Sequence, residues 1–282
     1  MLNILEAVIF GLVEGITEWL PVSSTGHLIL VEAFIKFQGL SPDFFKMFEV
    51  VIQFGAILAV IVLYFKNIWP LKFDESKHGN KSIKLDKSIL SLWGKIIVAC
   101  VPAAIVGLKF DDFFDAHFYN PTVISTMLIL VGIAFIIIEN KKRKDSRVTK
   151  ITDITYKDAL IIGMFQLIAA MFPGTSRSGA TIIGALLIGI SREVAAEFTF
   201  YLAIPVMFGA SLLKIAKYGL VLGNELVILL VGMVVAFVVS IFVIKFLMNY
   251  IKKHDFKAFG WYRIALGILV IILLFTNVIK SK

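Results

Sequence analysis

The chain is short of the residues that tie soluble proteins together and keep them dissolved. It has a single cysteine, Cys100, so no intrachain disulfide can form. Only 17% of its 282 residues are charged, against about a quarter in soluble domains. Residues 1–13 lack a basic stretch and a small-residue cleavage site and carry Glu6, so no removable signal peptide is expected. Acidic residues are outnumbered, 20 to 28, which leaves a net charge of +8. The basic residues sit in loops between apolar runs, a placement that sets membrane orientation and gives no reason to expect nucleic-acid binding.

What is abundant is hydrophobic residue, at 59%, with a mean hydropathy of +0.91. An integral membrane protein follows. The apolar runs are long and unbroken and lack the alternating ten-residue pattern of a barrel, so the expected class is all-α. A span needs about 20 helical residues to cross ~30 Å of hydrocarbon. Six segments qualify, at approximately 44–65, 89–109, 121–139, 194–216, 225–250 and 259–279. Pro102 and Pro205 within them are expected to kink their helices, and Lys95 and Lys245 to snorkel from span ends. The 25 phenylalanines suit lipid-facing and packing surfaces.

Two more apolar stretches, about 2–38 and 158–191, are broken near their middles by polar clusters. Each half is too short to cross alone, and Pro21 and Pro173 disfavour a continuous helix. The expected solution is a re-entrant helix hairpin, allowed at that depth only where protein or a wet cavity surrounds the irregular backbone. Each half of the chain then holds one hairpin and three spans. Glu14 and Gln166 each precede a proline by seven residues, and Phe54-Gly55-Ala56 is echoed by Phe208-Gly209-Ala210. We therefore expect one membrane domain built from repeats 1–140 and 158–282, joined by a basic linker at 141–157. Three spans per half make the repeats inverted, with a site near the midplane where the broken helices meet.

The basic loops 66–88, 140–157 and 250–258 fall on one face of this arrangement, which is expected to be cytoplasmic. The opposite loop, 110–120, is acidic through Asp111, Asp112 and Asp115. Both termini and the mouth of the first hairpin then face outside, although Lys280 and Lys282 at the C-terminus run against the pattern.

The first cluster runs from Glu14 to His27. Glu14 and Glu18, four apart, share a helical face suited to Mg²⁺ or Ca²⁺, with simple solvation as the alternative. Ser23, Ser24, Thr25 and Gly26 would open a half-helix whose backbone N–H groups bind phosphate, although the same run is ordinary capping chemistry. His27 lies three residues after Ser24, the minimum for a hydroxyl nucleophile beside a base. In the second cluster Gly174 and Gly179 bracket Thr175, Ser176, Arg177 and Ser178. Arginine suits bidentate phosphate binding, and a buried one needs an anionic partner, whether substrate or one of the two glutamates. Lys46, Glu49 and Gln53 form a polar stripe that either lines a cavity or pairs internally.

At these clusters, Glu14-Gly-x-Thr-Glu18-x-x-Pro21-Val-Ser-Ser-Thr-Gly-His27 and Pro173-Gly-Thr-Ser-Arg177-Ser-Gly179-Ala-Thr, the chain resembles the bacterial undecaprenyl-diphosphate phosphatases of the bacitracin-resistance (BacA/UppP) type. The likeness extends over essentially the whole length, including Phe48-Glu49-Val50-Val51-Ile52-Gln53. The resemblance implies hydrolysis of undecaprenyl diphosphate at the outer face of the cell membrane, returning the lipid carrier for peptidoglycan synthesis. It also implies a divalent cation, bacitracin resistance, a homodimer, and functional roles on Glu14, Glu18, Ser24, His27 and Arg177. The mechanism expected from the residues has Ser24 attack with His27 as base. Direct attack by His27, or by a water that His27 activates, stays open. The rival reading is a lipid or solute transporter on the same inverted repeat, which would not need a Ser–His pair beside two metal-binding carboxylates.

Overall fold

The structure, a computed structural model, describes residues 2–75, 81–141, 146–219 and 221–279. Lys77, Lys142, Arg143, Lys144, Lys280 and Lys282 of the charge argument lie outside the described residues, as do the side chains of Lys81, Asp111, Asp112 and Asp115. The chain is built of helices in the order α1 (Leu2–Thr17), α2 (Ser24–Phe34), α3 (Pro42–Leu63), the single turn α4 (Phe65–Ile68), α5 (Lys87–Phe118), α6 (Pro121–Asn140), α7 (Tyr156–Met171), α8 (Arg177–Leu187), α9 (Arg192–Tyr218), α10 (Gly223–Ile251) and α11 (Lys257–Phe275). Six of them, α3, α5, α6, α9, α10 and α11, are long and apolar enough to cross a membrane. Their starts and most of their ends lie within about two residues of the expected spans.

Local chemistry explains where these helices begin. Ser41 and Asn120 cap α3 and α6, each followed by proline at the first helical turn, and Ser191 caps α9. Thr155 and Asp158 form a reciprocal capping box at the start of α7, and Asp158 also pairs with Arg147 at 2.7 Å. Glu139, at the end of α6, takes two bonds from Arg192 of α9 and one from the Phe256 backbone before α11. Three span ends are thereby fastened at one point.

Three expectations need correction. The segment read as an outer loop, 110–120, is mostly the last turns of α5, which runs to Phe118. The lysine-rich stretch 66–88 is not simply a loop. It holds α4 and a two-stranded antiparallel hairpin, β1 (Leu71–Glu75) and β2 (Lys81–Leu85), with Leu71 opposite Leu85 and Phe73 opposite Ile83. Lys95 does not snorkel. It is buried and donates to the Thr152 carbonyl at 3.1 Å.

The helices pack principally as α1 on α10, α3 on α9 and α10, α5 on α7, and α6 on α11. Apolar burial cannot drive helices together in lipid, so close approach at small residues matters more. Gly132 of α6 and Gly260 of α11 face each other so closely that a Cβ on either would fall 2.7–2.8 Å from the other's carbonyl. This contact sets α11 tightly against α6, one turn before Arg263. A phenylalanine cluster (Phe10, Phe37, Phe44, Phe45 and Phe48), with ring centroids 4.9–6.1 Å apart, packs α1 and the segment after α2 onto α3.

Candidate active site

The two polar clusters are the two places where an apolar helix stops and restarts. α1 ends at Thr17 and α2 begins at Ser24. α7 ends at Met171 and α8 begins at Arg177. Both restarts use the same device. Ser23 (φ 73°) and Ser176 (φ 69°) stand in the left-handed region, and each hydroxyl accepts the backbone N–H of a glycine three residues on, Gly26 or Gly179. Non-glycine residues held there cost on the order of 1–3 kcal/mol each. Matching the caps aligns Ser24 with Arg177, one residue out of step with the alignment on Pro21 and Pro173. The extra residue lies in the second loop. There Gly174, at φ 88°, passes so close to Ile124 that a Cβ would sit 2.6 Å from its carbonyl oxygen.

Those first helical residues converge on one carboxylate. Ser24 donates to Glu18 Oε2 at 2.9 Å, and Arg177 Nη2 donates to Glu18 Oε1 at 2.8 Å. All three side chains are largely buried, and Arg177 Nη1 also donates to the Thr199 carbonyl at 2.8 Å. Removing one partner of such a buried pair costs about 3–5 kcal/mol. Ser178 crosses between the loops as well, donating to the backbone carbonyls of Glu18 (3.1 Å) and Leu20 (3.4 Å). Thr175 closes its own turn onto the Phe172 carbonyl at 2.6 Å. Thr25 and Gly26 lie in the first turn of α2, where the Gly26 N–H is taken by the Ser23 hydroxyl. Trp19, fully buried edge-to-face on Phe200 at 5.4 Å, anchors the first loop.

Glu14 is one turn from Glu18, and the Glu18 N–H donates to its backbone carbonyl at 3.0 Å. Its carboxylate is fully buried, and neither oxygen has a hydrogen-bond donor. Glu18 and Glu49 act on it with like charge and Arg177 with opposite charge. Orphaned carboxylate oxygens facing a second carboxylate are a donor set for a hard divalent cation. Among the described residues no three His, Cys, Asp or Glu side chains are arranged as a metal site. A cation held by Glu14 and Glu18 would therefore complete its shell from substrate oxygens and water. Lys46, Glu49 and Gln53, left undecided above, line a cavity of about 1250 Å³. Its wall also includes Lys36, from the segment after α2, and Lys214 of α9.

The expected Ser24–His27 bond is not made. The serine hydroxyl is given to Glu18. The His27 Nδ1–H donates to the Ser23 carbonyl at 2.7 Å, since a carbonyl can only accept, and Nε2 lies 2.7 Å from the Tyr262 hydroxyl. In the neutral ring that leaves Nε2 to accept from Tyr262, whose ring stacks on the imidazole at 5.6 Å. A shared helical face fixed the side of α2, but not which neighbour lay across from it. Tyr262 and its neighbour Arg263 were missed. The one usable signal was a lone arginine within the apolar run 259–279, because charge at that depth marks function or a specific partner.

Six apolar spans surrounding a buried carboxylate, hydroxyl and guanidinium, drawn from two interrupted helices, define a helical membrane protein with an internal polar site. The family model of the bacitracin resistance protein BacA matches residues 7–269, and the chain belongs to that family. It is 58% identical over 274 residues to the undecaprenyl-diphosphatase of Desulfitobacterium hafniense, covering 96% of each chain. It is 59% identical over 273 residues to undecaprenyl-diphosphatase 1 of Clostridium acetobutylicum and 57% identical over 274 to the undecaprenyl-diphosphatase of Enterococcus faecalis. In both comparisons 96% of this chain and 97% of the relative are covered.

Proposed function

We propose that this chain is a membrane phosphatase that hydrolyses undecaprenyl diphosphate to undecaprenyl phosphate and inorganic phosphate. The reaction recycles the carrier for peptidoglycan synthesis and, when the protein is abundant, confers bacitracin resistance. The observation that carries the reading is Glu18 held from one side by Ser24 and from the other by Arg177. It puts a hydroxyl, a proton acceptor and a phosphate-binding fork within one contact of each other. Family membership and the names of the relatives favour this hydrolase over the carrier alternative.

The broken pairs α1–α2 and α7–α8 are read as re-entrant hairpins. Their members have 11–16 residues, too few for the roughly 20 a span needs. Their shared serine caps support an inverted repeat of 1–140 and 158–282 joined by the basic linker 141–157. The loop charges favour a site that opens toward the outside of the bacterial cell membrane. The homodimer implied by the resemblance belongs to the same proposal and is tested by the mass of the protein–detergent complex.

In the proposed reaction the terminal phosphate takes over Arg177, with N–H groups opening α2 and α8 and the hydroxyls of Ser23, Thr25 and Ser176 around it. Thr175 and Ser178, expected to join them, would first have to give up their bonds to backbone carbonyls. Release of Glu18 from the guanidinium leaves it free to take the Ser24 proton. Ser24 Oγ then forms a bond to the terminal phosphorus as the bridging P–O bond breaks, and undecaprenyl phosphate leaves with that oxygen. Water cleaves the phosphoserine, giving inorganic phosphate and returning the proton to Ser24. Glu14 and Glu18 would hold Mg²⁺ or Ca²⁺, which supplies neutralisation of phosphate charge when bound. Little else is required, because phosphoryl transfer depends mainly on positioning and electrostatics. His27, oriented by Ser23 and Tyr262, is the alternative base or nucleophile.

The test is phosphate release from a short-chain prenyl diphosphate by detergent-purified protein, with and without chelator, followed by acid-trapping of labelled enzyme. Metal-dependent release with phosphate on Ser24 is expected. No release returns the carrier reading, full activity in chelator removes the cation, and label on His27 or none at all overturns the serine assignment.

A further inference from the structure

Arg263 is fully buried on α11, among the largest side chains with no exposure. Its guanidinium donates from all three nitrogens. Nη1 reaches the Pro21 carbonyl at 3.1 Å, Nη2 reaches the Gly174 and Thr175 carbonyls at 2.8 and 3.0 Å, and Nε reaches Leu128 of α6 at 3.4 Å. One fork thus grips both broken-helix loops. It holds the first three residues before Ser24, and the second two and three residues before Arg177. Gly179 leaves room for it, since a Cβ there would lie 3.3 Å from Nη1.

We propose that Arg263 is a positioning residue for phosphoryl transfer. By tying the Pro21 carbonyl to those of Gly174 and Thr175, it fixes how far Ser24 and Glu18 stand from Arg177. Two further observations carry this beyond simple packing. The four acceptors are neutral carbonyls, whereas a buried cation is expensive unless its geometry is used. A planar fork with five N–H donors also spans two loops and a helix in a way that a lysine ammonium does not. Among the described residues, one other side chain ties either loop to the other's backbone, Ser178, which bonds the Glu18 and Leu20 carbonyls. Ser178 and the Glu18–Arg177 pair also join the loops, but Arg263 is the group that links the Pro21 carbonyl directly to those of Gly174 and Thr175.

The inference rests on the phosphatase reading, so wild type is assayed beside Arg263→Lys and Arg263→Gln as full-length protein in detergent. Folded fraction is measured by gel filtration and thermal unfolding, and kcat and KM are taken per folded molecule. A misplacement near 1 Å costs about a hundredfold in rate, so kcat is expected to fall about a hundredfold in both variants. KM should stay within about threefold, because loss of transition-state alignment spares uniform binding. Adding Arg177→Lys should cost less in the Arg263→Lys background than in wild type, because the two act on one geometry. Unchanged kcat per folded molecule, a rise confined to KM, or failure of both variants to fold would each overturn the assignment. Absence of phosphate release by wild type would strike the phosphatase reading instead.

Discussion

The two broken helices share a backbone and differ in chemistry. Each restarts on a left-handed serine that caps a glycine three residues on. The first loop then presents Ser24 after two carboxylates, whereas the second presents Arg177 with no acidic residue in the run from Gln166 to Gly179. One turn before the breaks the contrast repeats. Glu14 is buried with no donor on either oxygen, while Gln166, matched to it by distance from proline, likewise has no donor on Oε1 but gives its amide N–H to the Ala99 carbonyl at 3.3 Å. A common frame thus gives one loop the carboxylates and the Ser24 hydroxyl, and the other the cation. The ion pair between Glu18 and Arg177 fastens one to the other.

Removing the cationic half should do the most damage. Arg177→Ala is expected to lower turnover by about 10³-fold or more, the range of an arginine acting on a transferring phosphoryl group. Arg177→Lys should recover little of it, because an ammonium cannot reproduce the fork. Near-normal phosphate release by purified Arg177→Ala would break the division of roles.

Next in size is making the first loop resemble the second. Glu14→Gln gives it the residue type of position 166 and should cut activity by about a hundredfold, the upper end of what even outer-shell metal partners cost. Added Mg²⁺ or Ca²⁺ should recover part of the loss. The matching change in the other repeat, Gln166→Ala, should cost only about 1 kcal/mol of stability through one lost hydrogen bond. Equal effects on turnover from the two substitutions would mean that Glu14 is structural.

Much of this was legible beforehand, and the parts that were not share a cause. Spans announce themselves because twenty apolar residues have few other uses, and the breaks do so because proline and polar residues interrupt them. The continuation of α5 was hidden by acidic residues that suggested a loop. Yet Phe110, Phe114 and Phe118 recur at helical spacing, and their rings contact in sequence at 5.9–6.5 Å. Arg263 was hidden by averaging, one charge among the twenty-one positions of the apolar run 259–279. Its acceptors are carbonyls of Pro21, Gly174, Thr175 and Leu128, which no side-chain pattern records. The Glu18–Ser24 bond joins residues six apart across a break, where helical periodicity no longer says what faces what.

The smallest expected effect tests the part the two regions share. If Ser23 and Ser176 both combine a cap with an unfavourable φ, alanine and glycine should separate there. Alanine loses the capping oxygen and keeps the strain, so Ser23→Ala and Ser176→Ala should each cost about 1 kcal/mol. Glycine also loses the cap but adopts positive φ freely, so each glycine variant should fall only a few tenths below wild type. The order of midpoints in detergent, wild type then glycine then alanine, should be the same at both positions. A matching order would show one backbone device used twice under opposite chemistries. Equal midpoints for alanine and glycine at one position only would confine the strained cap to the other loop, and the pairing of Ser24 with Arg177 as equivalent first residues would fail with it.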